Sequence, residues 1–126
     1  MNFDIKLKRV YKDDNINILA TYLDVNDETY YCLSDILDQL HIKENWQISK
    51  EKPPLPISAK IIWGFKFDTV NFIETIFIDE KSALDIINIS QCTNISIVEG
   101  FDSDDNKVTK IVACTTTENM TLLIFS

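Results

Sequence analysis

All three prolines of the chain fall within four residues, at Pro53, Pro54 and Pro56. Each fixes φ and removes a backbone N–H, so neither a regular helix nor a central strand crosses this point. Residues 43–58 are therefore read as an internal linker, and the chain on either side must build its own elements. The length of 126 residues, 45 % of them hydrophobic, suits one small domain spanning residues 1–126.

Before the linker, Phe3, Ile5 and Leu7 alternate with Asp4, Lys6 and Lys8, the period of a half-buried strand. Asp13-Asp14-Asn15 marks a turn, and Ile16, Ile18 and Ala20 open a second strand that continues through Leu23. Asn26-Asp27-Glu28 is a tight polar loop, and Thr29–Leu33 is a third strand, so a hairpin is expected. Ser34 reads as an N-cap with Asp35 in the first turn, and Ile36, Leu37 and Leu40 give residues 35–41 a helical apolar face.

Beyond the linker, Lys60–Phe67 and Phe72–Ile78 read as strands, and Gly64 suggests a bulge or a close contact. Asp79 reads as the cap of a helix from Glu80 to about Asn88, with Ala83, Leu84 and Ile87 on one face. Ile95–Val98, Lys107–Cys114 and Thr121–Phe125 complete the strands, with a long acidic turn from Gly100 to Asn106. The expected fold is α+β, mostly antiparallel sheet with two short helices, in the order β-β-β-α, linker, β-β-α-β-β-β. The strands Lys107–Cys114 and Thr121–Phe125 are expected to leave an edge for a homodimer.

The charge of -8 is unevenly placed. Residues 13–40 hold seven acids and no base, and residues 67–106 hold nine acids against Lys81 alone. Such blocks repel nucleic acid and anionic membranes at long range and attract basic protein surfaces. Direct nucleic-acid binding is accordingly disfavoured. The partner-binding candidates are Asp24, Asp27, Glu28, Asp35 and Asp38 in the first block and Asp102, Asp104 and Asp105 in the second. Trp46 joins them as an aromatic in the linker. The aromatics Tyr30, Tyr31, Trp63, Phe65 and Phe67 are read as sheet core and not as a base-stacking platform.

Catalytic and metal chemistry find little support. The single histidine, His41, excludes any site needing two imidazoles. Cys32, Cys92 and Cys114 show neither disulfide nor zinc spacing and read as small apolar side chains in a reducing compartment. A Cys32–His41 or Cys114–His41 nucleophile–base pair lacks an orienting third group. Counted from Asp102 as a calcium loop, the sixth position holds Lys107 and the twelfth Ala113, where Gly and Glu are needed. Two isolated glycines build no phosphate loop. No enzyme, cofactor or metal is expected. The first residues do not read as a signal peptide and no apolar run is long enough to span a membrane, so a cytoplasmic protein without membrane contact is expected. The richness in Ile, Asn and Lys suits an A/T-rich genome, such as that of a low-GC bacterium or its phages.

The stretch from Ile18 to Ile42 resembles the start of the Bro-N domain of phage antirepressors and baculovirus-repeated-ORF proteins. It offers a strand, an acidic turn, a strand with an aromatic at Tyr30 or Tyr31, and a helix led by Asp35 and ending in Leu40 and Ile42. Thr75–Ser90 resembles that family's second strand and helix, so the similarity spans roughly residues 15–90; His41 stands where the family has Gly. The resemblance implies an α+β fold in a phage-type regulatory setting. The reading favoured by the charge is a non-enzymatic phage or mobile-element protein that binds a basic host or phage protein through its acidic blocks. One alternative is a DNA-mimic inhibitor of a host defence enzyme, a restriction or CRISPR nuclease. Another is an antirepressor-like DNA binder using Lys6, Lys8, Arg9, Lys12 and the lysines between Lys43 and Lys66.

Overall fold

A computed structural model describes residues 6–40, 53, 55–56, 58–68, 70–92, 94–114 and 119–125. The chain is α+β, with two antiparallel sheets and two helices among these residues. The strands are β1 (Leu7–Lys12), β2 (Asn17–Val25), β3 (Glu28–Cys32), β4 (Leu55–Pro56), β5 (Ile61–Asp68), β6 (Asn71–Asp79), β7 (Asn94–Phe101), β8 (Lys107–Cys114) and β9 (Asn119–Phe125). The helices are α1 (Leu33–Gln39) and α2 (Glu80–Ser90). One compact unit comprises Met1–Gln39 and Lys60–Leu84; the other comprises Leu40–Ala59 and Asp85–Ser126. The boundary falls within α2.

The first unit is built on a five-stranded sheet ordered β1-β2-β3-β6-β5. Local turn chemistry sets its first half. Asp13 Oδ1 accepts from the backbone N–H groups of Asn15 (2.7 Å) and Ile16 (2.8 Å), closing the β1–β2 connection. Because the turn fixes the register, β1 runs up to it and occupies Leu7–Lys12, later than the alternation at residues 3–7 implies. Phe3–Ile5 lie outside the described residues. Asn26 and Asp27 take φ of 52° and 65° between the paired residues Val25 and Glu28. Two left-handed residues make the tight turn whose twist matches the strands, and Asn and Asp tolerate that conformation best after Gly.

Helix α1 follows β3 directly. Ser34 is its second residue and not its cap, a correction to the sequence reading: the helix already starts at Leu33, which is buried. The Ser34 hydroxyl instead lies 3.2 Å from the Cys32 sulfur. Leu33, Ile36 and Leu37 are buried. Gln39 clips the helix end to β2: its side-chain oxygen accepts from Leu19 N (3.1 Å), and its amide nitrogen donates to Leu19 O.

The β5–β6 hairpin is continuous over eight paired positions from Ile61↔Ile78 to Asp68↔Asn71. Strand β6 also pairs with β3, through Tyr30↔Asp79, Tyr31↔Ile78 and Cys32↔Phe77. Tyr30, Cys32 and Phe77 form a buried cluster with Leu23 and Ile62 packed against it. Gly64 is the close contact its position suggested: a Cβ there would meet Leu23 Cδ1 at 2.5 Å and the Phe77 ring at 3.0 Å.

The second unit holds a four-stranded sheet ordered β4-β9-β8-β7. Within the expected linker, Leu55–Pro56 forms the short strand β4, and it lies at the sheet edge, where a residue without N–H is tolerated. Of the two strands expected to leave an edge for a homodimer, β8 is interior to the sheet, between β7 and β9, and β9 is covered at two residues, where Leu122 and Leu123 pair with β4. Asp102 Oδ1 accepts from the backbone of Asp104 and Asn106, each at 2.9 Å, which makes the acidic β7–β8 connection a tight turn. Helix α2 buries Ala83, Ile86, Ile87 and Ile89.

Candidate acidic cleft

The pairing of β3 with β6 brings acids of both sequence blocks together inside the first unit. Register Tyr30↔Asp79 sets the β2–β3 turn beside the junction of β6 and α2. Asp27, Glu28 and Thr29 from the turn, and Asp79, Glu80 and Lys81 from the junction, line an open cleft of about 320 Å³ closed by Lys60. Four of these lining residues are acidic and two are lysines, so the cleft is net anionic.

Its walls are held by specific bonds. Asp79 Oδ1 accepts from Lys60 N (3.0 Å), and Asp79 N donates to Lys60 O (3.3 Å), extending the β5–β6 ladder by one residue. The carboxylate expected to cap α2 is thus seen bonded to the neighbouring strand. The Lys60 ammonium lies 3.5 Å from Glu28, both side chains more than half exposed. Such a pair is weak and open to exchange for another cation. Glu28 also accepts from the Tyr30 hydroxyl (3.0 Å), and this bond, ahead of burial, raises the phenol's pKa. Tyr31 is raised too, first by burial and then by the charges of Glu80 and Asp24.

The other expected partner-binding residues are placed differently. Asp24 is exposed and accepts from Thr29 Oγ1 (2.8 Å), with Lys8 at 4.0 Å. Asp35 is drawn inward: its carboxylate accepts from Lys66 Nζ and from Thr21 N (2.9 Å), leaving it half-buried. Burial alone would raise its pKa, but the bonds from Lys66 and Thr21 outweigh burial and hold it below the usual 3.8. Burial likewise opposes the Lys66 charge, and the Asp35 bond and charge win and raise it above 10.5. Asp35 is a strut of the fold and not a free surface acid. Asp38 is exposed on α1. Asp102, Asp104 and Asp105 belong to the second unit, and Asp102 spends its carboxylate on its own turn; the bond from Asn106 is the first cause of its lowered pKa. Trp46 and His41 lie outside the described residues.

Asp79, Glu80 and Lys81 were not singled out by sequence as binding residues, and Lys60 only as one of the lysines of the DNA-binding alternative. The signal that brings them in is the non-consecutive β3–β6 pairing, which no local pattern encodes. Of the aromatics read as core, Tyr30 and Tyr31 are buried, whereas Trp63 and Phe65 are 65 % and 60 % exposed. Cys32 is fully buried, as a small apolar side chain would be. Among the described residues, no helix is long and apolar enough to cross a membrane, and no group of three or more His, Cys, Asp or Glu is placed to hold a metal ion. Compared with known proteins, the chain matches no family model, no curated protein and no solved structure.

Proposed function

We propose that the chain is a non-enzymatic interaction protein that takes a basic segment of a partner protein into the acidic cleft. The observation that carries this reading is the convergence of Asp27 and Glu28 with Asp79 and Glu80, acids from both sequence blocks, on one open cleft. An incoming Lys or Arg displaces Lys60 from a weak exposed pair with Glu28 and enters a cleft that Asp27 and Glu80 make more anionic. Arg suits the cleft better than Lys, because its planar fork takes two carboxylate oxygens at once. The alternative of DNA binding is weakened by the same map: Lys8, Lys60 and Lys66 each face an internal acid.

The test is binding of a short Arg-rich peptide followed by calorimetry at low and high salt. The triple change Asp27→Asn, Glu28→Gln and Glu80→Gln leaves Asp79 and its backbone bonds in place. It is expected to weaken binding about tenfold or more and to flatten the salt dependence. Binding that ignores both salt and the triple change sinks the reading.

A further inference from the structure

Strand β5 is built against its own binary pattern. Its strongly apolar alternate positions are Ile61, Trp63, Phe65 and Phe67, yet the set turned to the buried cluster is Ile62, Gly64 and Lys66. Partners directly opposite in an antiparallel pair share a face. Trp63 therefore lies on one side with Ile76, Phe65 with Glu74, and Phe67 with Phe72. On this face Ile61 is 42 % exposed and Phe72 57 %, and at the hairpin turn Val70 is 77 % exposed. Phe67 and Phe72 meet edge-to-face with centroids 5.4 Å apart, which stiffens the hairpin tip.

This apolar strip runs along an open sheet edge. The order β1-β2-β3-β6-β5 leaves β5 with no neighbour beyond β6 among the described residues. The usual protections of an edge are missing: β5 has no proline and no register shift, and its one lysine, Lys66, is turned to Asp35.

We infer that β5 is a homodimer interface, in which the β5 strands of two copies pair antiparallel and join their sheets into one. A two-fold axis normal to the sheet keeps each face on its own side. Facing residue numbers must then sum to an even value. Centred on Gly64, this sets Trp63 opposite the second copy's Phe65, Phe65 opposite its Trp63, and Ile61 opposite its Phe67. Every pair on the exposed face is apolar, and no like charges meet. In this geometry the sheet faces stay solvated, so each copy buries the β5 backbone edge and the flanks of Ile61, Trp63, Phe65 and Phe67, an area at the small end of specific interfaces that suits a concentration-dependent dimer of two identical chains.

The proposal is independent of the acidic cleft and is tested on the full chain. Sedimentation velocity from about 1 to about 100 μM is expected to show conversion from 14.5 kDa to twice that mass. Trp63→Glu with Phe65→Glu places like charges opposite one another and is expected to raise the dimer dissociation constant about a hundredfold. Lys8→Glu with Arg9→Glu, on the opposite edge, is expected to leave it unchanged. As a readout that needs no variant, hydrogen exchange of β5 amides should slow with rising concentration while that of β1 amides does not. A chain that stays monomeric over this range overturns the proposal. So does a dimer that survives the β5 changes, or one lost equally through β1.

Discussion

The two edges of the five-stranded sheet are made from opposite materials. At one edge, β1 carries exposed Lys8, Arg9 and Lys12, and its register with β2 shifts between Arg9 and Tyr11. Lys8 lies over the Tyr22 ring at 4.3 Å and beside Asp24 at 4.0 Å. Charge and a bulge are what keep an edge from recruiting another strand. At the other edge, β5 runs eight residues without a shift and turns Trp63 and Phe65 to solvent. One sheet thus contains a blunted edge and an unblunted one. The difference teaches that exposure of the β5 aromatics is not a general looseness of this unit, because the same sheet closes its other side by familiar means.

The comparison is broken most severely from beneath β5. Phe77 is fully buried and its ring fills the space against which Gly64 rests. Phe77→Ala is expected to cost about 3–5 kcal/mol in denaturant unfolding, through lost burial and a cavity. The corresponding inward residue of β1, Val10, is 9 % exposed, and Val10→Ala should cost distinctly less, about 1–2 kcal/mol. Equal costs at the two positions mean that the β5 side is no better anchored than the β1 side.

The Lys66–Asp35 pair comes next. It ties the inner face of β5 to α1, with both side chains 16 % exposed. Lys66→Met leaves a half-buried carboxylate unpaired and is expected to cost about 2 kcal/mol, between the values for surface and fully buried pairs. Its pH dependence has a definite sign. The Asp35 pKa is lowered on folding, so its contribution is present above the ordinary 3.8 and is lost as pH falls through the lowered value. The Lys66 pKa is raised, so its contribution is present below 10.5 and is lost as pH rises through the raised value. Unfolding measured across pH should show a stability plateau between these limits in the wild type. The difference between wild type and Lys66→Met should shrink in acid. A difference that stays constant down to pH about 2 excludes the pair as its source.

What was readable in advance follows the range of the physics. The turn at Asp13, the left-handed pair Asn26-Asp27, the β7–β8 turn at Asp102 and the apolar face of α1 are set by residues within a few positions of one another. Each was legible as an element, though boundaries moved where a neighbour decided them, as at Ser34. The cleft was legible by half. Asp27 and Glu28 stood in a visible acidic block, but Asp79 and Glu80 join them only because β6 inserts beside β3, a pairing across about fifty residues that periodicity does not carry. Strand β5 misled for a different reason. Its alternation points Trp63 and Phe65 inward, and the structure turns them out because Leu23 and Phe77 occupy the space that Gly64 leaves open, while Asp35 neutralises the inward lysine. A binary pattern records which residues are apolar and not which face a distant partner has filled.

That substitution of packing for pattern gives a smaller and sharper test at Gly64. A methyl group there meets Leu23 Cδ1 at 2.5 Å and the Phe77 ring at 3.0–3.1 Å. The Leu23 methyl is the far end of a flexible side chain and moves aside at little cost, but the Phe77 ring is buried and hemmed in. Gly64→Ala is therefore expected to destabilise by about 1–2 kcal/mol through overpacking, despite the gain that Ala in a strand normally brings over Gly. Leu23→Ala relieves one of the two clashes and leaves the ring contact. In a double-mutant cycle, Gly64→Ala should thus cost less in the Leu23→Ala background by a few tenths of a kcal/mol, and not become neutral. A neutral or stabilising Gly64→Ala in the wild type means that β5 stands farther from β2 and Phe77 than these distances place it. The inward set of the strand would then no longer be explained by close packing at the glycine.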